Sequence, residues 1–325
     1  MPTLPGLTDA RSGRGRSART RRARAGPLLV VGAGSVGTRH LENLRALGKG
    51  DVLLYRSGHG RATSGLSSTG DLDEALSRRP RAALVCNPTA LHVATALTAA
   101  RAGCDLFIEK PLSHSMDDVA TLAAEVAARR LRVLVGYQFR FHPGLRQVKR
   151  WLVEGAIGDV ASARTHWGEY LPGWHPGEDY RRGYSARREL GGGVVVTLSH
   201  PFDYLRFLLG EVVEVSAQTG QRGGFDLDVE DTAHVLLRFA SGVLATVSLD
   251  YVERPASHRL HVVGRSGLIA WDGTSGVARL HDAGHFMACV EGRETPVCSL
   301  GDGIAALKIA LAVKQSAAEG QTIRV

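Results

Sequence analysis

The stretch PLLVVGAGSVGTRHLENLRALG, residues 27–48, limits the fold more than any other segment of this chain. It opens with an apolar run too short for a helix and passes through Gly32, Ala33, Gly34, Ser35, Val36 and Gly37. It then shows Leu41, Leu44 and Leu47 at helical spacing before Gly48 stops the pattern. That order spells a strand, a glycine turn and a helix. Glycines at this spacing let the chain turn tightly and bring backbone N–H groups against a pyrophosphate, which then sits at the positive end of the new helix. In this context Gly32, Gly34, Ser35, Val36 and Gly37 are predicted to hold a dinucleotide.

The alternation continues. AALVCN is read as a strand, LHVATALTAARAG as a helix, DLFIE as a strand and RVLVGY as a strand. Between the last two, Ser115 and Asp118 resemble a capping box ahead of an apolar face made by Val119, Leu122, Ala123 and Val126. Strands alternating with helices predict a parallel, doubly wound α/β sheet, in which ligands bind beyond the carboxyl ends of the strands. Those ends are marked by Asn87-Pro88-Thr89, Glu109-Lys110-Pro111 and Gly136-Tyr137-Gln138, so Lys110 should point into the cofactor cleft. A second strand, DVLLY, ends in Arg56-Ser57, where an NAD enzyme usually places an acid. A cation beside a hydroxyl suits the 2′-phosphate of NADP, and NADP is therefore expected over NAD.

At 325 residues the chain is long enough for two cores. Its formal charge of +8 comes largely from RSGRGRSARTRRAR, Arg11–Arg24, whose seven arginines face no acid. The rest is near neutral, so the charge is read as a disordered basic tail over residues 1–26 and not as a nucleic-acid footprint. No apolar run is long enough to span a bilayer, and export is not expected, which points to the cytoplasm. Cys86, Cys104, Cys289 and Cys298 show no metal-ligand spacing, and no metal site is predicted.

After Gly136 the pattern changes. GDVASARTHWGEY, EVVEVSAQT, AHVLLRFA, GVLATVSLDY and HRLHVVG read as strands joined by turns such as Ala240-Ser241-Gly242, which predicts a large, mostly antiparallel open sheet. Helices are expected near 144–154, after Gly191, and over IAALKIALAVKQSAAEG, which should pack back on the body. The domains are thus drawn as 27–136 and 137–325. An open sheet face invites a second subunit, and a homodimer or homotetramer is expected. Gln138 and Arg140, just past a strand end, are placed to touch substrate. The aromatic and charged loop YLPGWHPGEDYRRGYSARREL, with Tyr180 at its centre, reads as a substrate lid.

GAGSVG, CNPTALH, IEKPL, GYQFRFHP and GGGVVVTLSHPFDYLRFLLG occur in that order, and with them the chain resembles the Gfo/Idh/MocA family from about residue 27 onward. The resemblance implies a Rossmann domain, an α/β partner domain, and NAD(P)-dependent redox chemistry on a sugar or cyclitol. It puts Lys110 beside the nicotinamide and the substrate hydroxyl, Glu109 near the ribose, and Asn87, Pro88 and His92 along the cofactor. Many members carry an Asp on the GGG helix with a His one turn on. Here that position is Thr197, followed by His200 and Asp203. His200 is the expected general acid/base, because its ordinary pKa lies nearest working pH, and Thr197 and Asp203 are expected to meet substrate. The missing carboxylate leaves room for a relative that uses NAD without net redox, or for a non-catalytic NAD(P) sensor.

Overall fold

The computed structural model describes residues 25–56, 67–275 and 289–325. Short strands, most of them buried apolar runs with a polar, largely exposed β3 at the edge, build the first sheet: β1 (Leu28–Val31), β2 (Val52–Tyr55), β3 (Ser67–Thr69), β4 (Ala82–Val85), β5 (Asp105–Ile108) and β6 (Val133–Val135). All pair in parallel in the order β3-β2-β1-β4-β5-β6. β1, β4 and β5 are buried at every residue, as strands covered on both faces must be. The covering helices are α1 (Ser35–Ala46), α2 (Leu72–Ser77), α3 (His92–Arg101) and α4 (Val119–Arg129). The order of connection reverses between β1 and β4, and there the carboxyl ends of the strands open a crevice. α4 starts without the expected capping box. Its N-cap, Asp118, sits at φ 55° with no side-chain cap, and the Ser115 hydroxyl bonds Asp117 instead.

The second sheet runs β12-β11-β7-β10-β9-β8-β13, where β7 is Val160–Gly168, β8 Val212–Gly220, β9 Thr232–Phe239, β10 Leu244–Asp250, β11 Ser257–Gly264, β12 Gly267–Asp272 and β13 Ile323–Arg324. Only β7 and β10 pair in parallel; the other neighbours are antiparallel. One face carries Val235, Leu237, Val247 and Leu249 into a core, while alternate residues such as Leu236 and Leu244 stay exposed. Helices α5 (Pro143–Val153), α6 (Val194–Thr197) and α7 (His200–Leu209) belong with this sheet.

The closing helix α8 (Leu300–Glu319) begins in a capping box of Ser299 and Asp302 and stops at Gly320, φ 65°. It joins both cores. Ile304, Ala306 and Leu307 pack in the first, and Ile309, Ala310 and Val313 in the second. Val290, Cys298 and Leu300 also enter the first core, so the chain's end returns to the parallel sheet. Among the described residues no helix is long and apolar enough to cross a membrane.

Candidate active site

The glycine turn sits where β1 feeds α1. Gly32 has φ +104°, and a Cβ there would lie 2.8 Å from the Cys86 carbonyl oxygen. At Gly37 a Cβ would come within 2.0 Å of the Gly32 carbonyl oxygen, so both positions are closed to any larger residue by the strand and helix themselves. Gly34 differs. Nothing lies within 4 Å of its Cβ position, and it caps α1 without a side-chain hydrogen bond. An open cradle in front of uncapped first-turn amides at Ser35, Val36 and Gly37 fits a pyrophosphate.

Lys110 follows β5 directly. Its backbone N–H donates to Glu109 Oε2 at 3.0 Å, and Glu109 Oε1 meets His40 Nε2 of α1 at 2.8 Å. Burial would raise the Glu109 carboxyl, but the His40 bond and the charges of His40 and Lys110 outweigh it and hold the carboxyl below its ordinary value. The Lys110–Pro111 peptide is cis. From this base the Lys110 ammonium crosses to the second domain and donates to the Thr197 carbonyl oxygen at 2.9 Å. His92 is buried beneath, with Nδ1 2.8 Å from the Pro111 carbonyl and Nε2 2.8 Å from the Asn87 carbonyl. It therefore pins two strand-end loops together behind the lysine. Asn87 gives its amide to Thr95 at 2.8 Å and leaves its buried Oδ1 without a partner among the described residues, while Pro88 opens a short 3₁₀ turn, Thr89–Leu91.

Thr197 ends α6 and His200 begins α7, with Pro201 in the first turn, where a missing N–H costs nothing. Ser199 precedes the helix but does not cap it; its hydroxyl lies 3.3 Å from that of Tyr137. Thr197 and His200 are both 1% exposed. The imidazole is walled by Phe139, Trp167 and Tyr137, with ring centroids at 4.8, 5.4 and 5.5 Å, and its Nδ1 has no hydrogen-bond partner among the described residues. Burial, the Lys110 charge and His258 together hold its pKa well below the ordinary histidine value. His200 is thus neutral at working pH, a weaker base than its residue type suggests.

Arg140 and Asp203 were expected to reach substrate, and the structure binds them to each other. Arg140 Nε lies 3.0 Å from both carboxylate oxygens, Nη2 lies 2.7 Å from Oδ1, and the two side chains are 4% and 0% exposed. Gln138 opens the 3₁₀ turn Gln138–Phe141 after β6. Tyr180 lies in the expected lid loop, its ring 5.9 Å from Phe225; Arg181 pairs locally with Asp179, while Arg188 donates its backbone N–H to the Asp228 carboxylate and its guanidinium to the Asp228 carbonyl. Arg56 directly follows β2, its N–H bonded to the Thr69 carbonyl at 3.1 Å, and Ser57 lies outside the described residues. The Arg11–Arg24 tail lies outside them as well.

Two side chains escaped the sequence reading. His40 carried no motif signal, since its role is to meet Glu109 from 69 positions away. Glu169, the first residue after β7, accepts from Trp167 Nε1 at 2.7 Å; burial raises its carboxyl against the pull of Trp167 and Lys110. No metal set was predicted. Ligand atoms of His166, Asp250 and Glu253 nevertheless lie within 4.8 Å of one another, with His166 alternating to the opposite face of β7 from Trp167.

Myo-inositol 2-dehydrogenase of Thermotoga maritima is 28% identical over 344 residues, covering 91% of this chain and 97% of that protein. Two solved structures share the fold. The WlbA dehydrogenase of Bordetella pertussis, in complex with NADH and UDP-GlcNAcA, superimposes with TM-score 0.82 at 21% identity over 93% of this chain and 99% of its own. Scyllo-inositol dehydrogenase from Lactobacillus casei, with bound NAD(H) and scyllo-inositol, gives 0.76 at 17% identity over 93% and 99%. Both hold NAD, which overturns the expectation of NADP drawn from Arg56 and Ser57. A guanidinium at a strand end does not require a phosphate, and one position carried that inference. The family model described as "Oxidoreductase family, NAD-binding Rossmann fold" matches residues 28–137, and the one described as "GFO/IDH/MocA C-terminal domain" matches 145–270. With both halves matched in order on the fold just described, the chain belongs to the GFO/IDH/MocA oxidoreductase family.

Proposed function

We propose that the chain is an NAD-dependent dehydrogenase of a sugar or cyclitol, exchanging hydride with a carbinol carbon at the mouth of the crevice between the two domains. The observation that carries this reading is the Lys110 ammonium, which leaves the end of β5 and bonds the Thr197 carbonyl three residues before His200. One cation thereby joins the dinucleotide crevice to the imidazole of the partner domain. The relative from Thermotoga maritima, an inositol dehydrogenase, supports the substrate class.

NAD bound along the glycine turn would supply the hydride acceptor, with its pyrophosphate against Gly34 and the amides of Ser35, Val36 and Gly37. Asn87 and Pro88 would border it. Glu109, its oxygens engaged by His40 and the Lys110 amide, fixes the direction in which the lysine leaves the strand. The ammonium then stabilises negative charge as it develops on the substrate oxygen, where a preorganised donor in a dry site acts most strongly. His200, neutral, offers a ring nitrogen to a substrate hydroxyl, and Gln138 and Tyr180 are the polar groups that would border the sugar. The reading includes a homo-oligomer, since the sheet face bearing Leu236 and Leu244 is exposed in the single chain; sedimentation tests that part.

The test mixes purified protein, NAD and a panel of inositols, aldoses and uronic acids, and follows the reduced-nicotinamide absorbance band. Growth of the band with at least one polyol is the expected result. Intact NAD binding with no turnover on any of them would overturn the reading.

A further inference from the structure

We propose that Glu169 receives the proton of the substrate hydroxyl in this chain, taking over from the carboxylate that Thr197 does not provide. The inference rests on the dehydrogenase reading above and names a further group for it.

Hydride removal from a carbinol requires a destination for the O–H proton, and the carboxylates around the crevice can be taken in turn. Glu109 is bonded to His40 and to the Lys110 amide. Asp203 is closed by Arg140. At the position where a family Asp would stand, Thr197 brings a buried hydroxyl beside Tyr251, which is no carboxylate. Glu169 remains. Its backbone N–H is fixed by the Asp250 carbonyl at 3.1 Å, and its Oε1 by Trp167 Nε1 at 2.7 Å. Among the described residues no hydrogen bond is made by Oε2. The indole that holds this carboxylate also packs on His200 at 5.4 Å, and the Lys110 charge acts on the same carboxylate.

The charges around it are few. Lys110 acts on it from the end of β5 and is the cation whose field opposes the effect of burial. His200 lies beyond the Trp167 ring on α7, and Arg254 lies over the neighbouring Tyr170 ring at 4.1 Å. Asp250 spends Oδ1 on the amides of Val252 and Glu253, and Glu253 pairs with His166. A half-buried carboxyl raised above its ordinary value is a better proton acceptor near neutral pH than an exposed one. In the oxidation, the substrate C–H bond breaks, and NAD, when bound, would accept its electron pair as hydride. The O–H bond breaks and its proton passes to Glu169 Oε2, the carbonyl forms, and Lys110 carries the developing negative charge meanwhile. Glu169 then returns the proton to water.

Glu169→Gln keeps an acceptor for the indole N–H and removes only the proton-accepting charge, so it separates chemistry from packing. In cofactor-free protein, infrared titration of the carboxyl band should show a wild-type transition above the ordinary glutamate value of 4.5 that Glu169→Gln lacks. In turnover, Glu169→Gln should lower kcat by about 10²–10⁴-fold with NADH affinity unchanged, and Glu169→Asp should restore part of the rate with a shifted acid limb. A Glu169→Gln variant at the wild-type rate, or a titration identical in both proteins, overturns the proposal while leaving the dehydrogenase reading intact. A wild-type protein that binds NAD and oxidises no polyol overturns both.

Discussion

Replacing Asp203 by Asn should destabilise the protein without weakening its grip on substrate. Arg140 leaves the 3₁₀ turn after β6 and grips Asp203 on α7 through three contacts of 2.7 to 3.0 Å, with both side chains at most 4% exposed. Removing one partner of such a pair strands the other charge in the interior, at about 3–5 kcal/mol. Two acceptors soften the loss, since the Val297 carbonyl lies 3.3 Å and Asp302 3.6 Å from Arg140 Nη1. The lower end, about 3 kcal/mol, is therefore expected. For a domain of this size that lowers the unfolding midpoint by roughly 6–12 °C. Circular dichroism melts and urea titrations of wild type, Asp203→Asn and the double variant Arg140→Met/Asp203→Leu measure it, and the double variant should recover most of the loss. Where Asp203→Asn still folds, KM for the polyol should be unchanged. A single variant within about 0.5 kcal/mol of wild type, the range of an exposed ion pair, or a raised KM at unchanged stability, would refute the reasoning and return these residues to the substrate.

Gly34→Ala should leave the fold intact and weaken NAD binding, because the added Cβ enters only the open cradle, whereas Gly37→Ala should destabilise the first domain by about 1–3 kcal/mol through its clash with the Gly32 carbonyl; melts and NADH fluorescence titrations separate the two. His258, buried and held down to about 3 by desolvation and neighbouring histidines, binds no proton in the folded state while the unfolded chain does below 6.5. Stability should therefore fall as pH drops from 6.5 toward 3, by up to about 1.4 kcal/mol per pH unit from this group, and His258→Phe should flatten that slope in urea titrations across pH. Glu109 has the opposite sign of linkage: its carboxyl is lowered in the folded state, so its contribution is present above 4.5 and is lost as pH falls through the folded value. The stability gap between wild type and Glu109→Gln should accordingly close below pH 4.5.

The parts of the fold legible in the sequence are those written in local periodicity. The strand–glycine–helix stretch, the buried runs of β4, β5 and β6, and the place of Lys110 at a strand end follow from spacing within a few residues of each. β3 and α2 carry no such pattern, because three small polar residues on a sheet edge and a six-residue helix bury little. That α8 packs back on the body was expected, but how it divides between the cores was not legible: its apolar residues surround the helix and do not say which core each will meet. At the site, long-range pairing defeated residue-by-residue reading. Arg140 and Asp203 looked like free polar groups until a contact across 63 positions joined them, and Glu169 became visible only when Trp167 and His200 were brought together. His200 was found by type, but its weak basicity comes from burial among aromatic walls contributed by β7 and the turn after β6, and from the charges of Lys110 and His258.

The most direct measurement compares wild type with Lys110→Met in NADH fluorescence titration and in single-turnover hydride transfer to or from a polyol that the wild type accepts. If the ammonium that bridges the two domains stabilises charge on the substrate oxygen, NADH affinity stays close to wild type while transfer slows by about 10²–10³-fold. Hydride transfer at the wild-type rate in Lys110→Met would contradict the account at its centre.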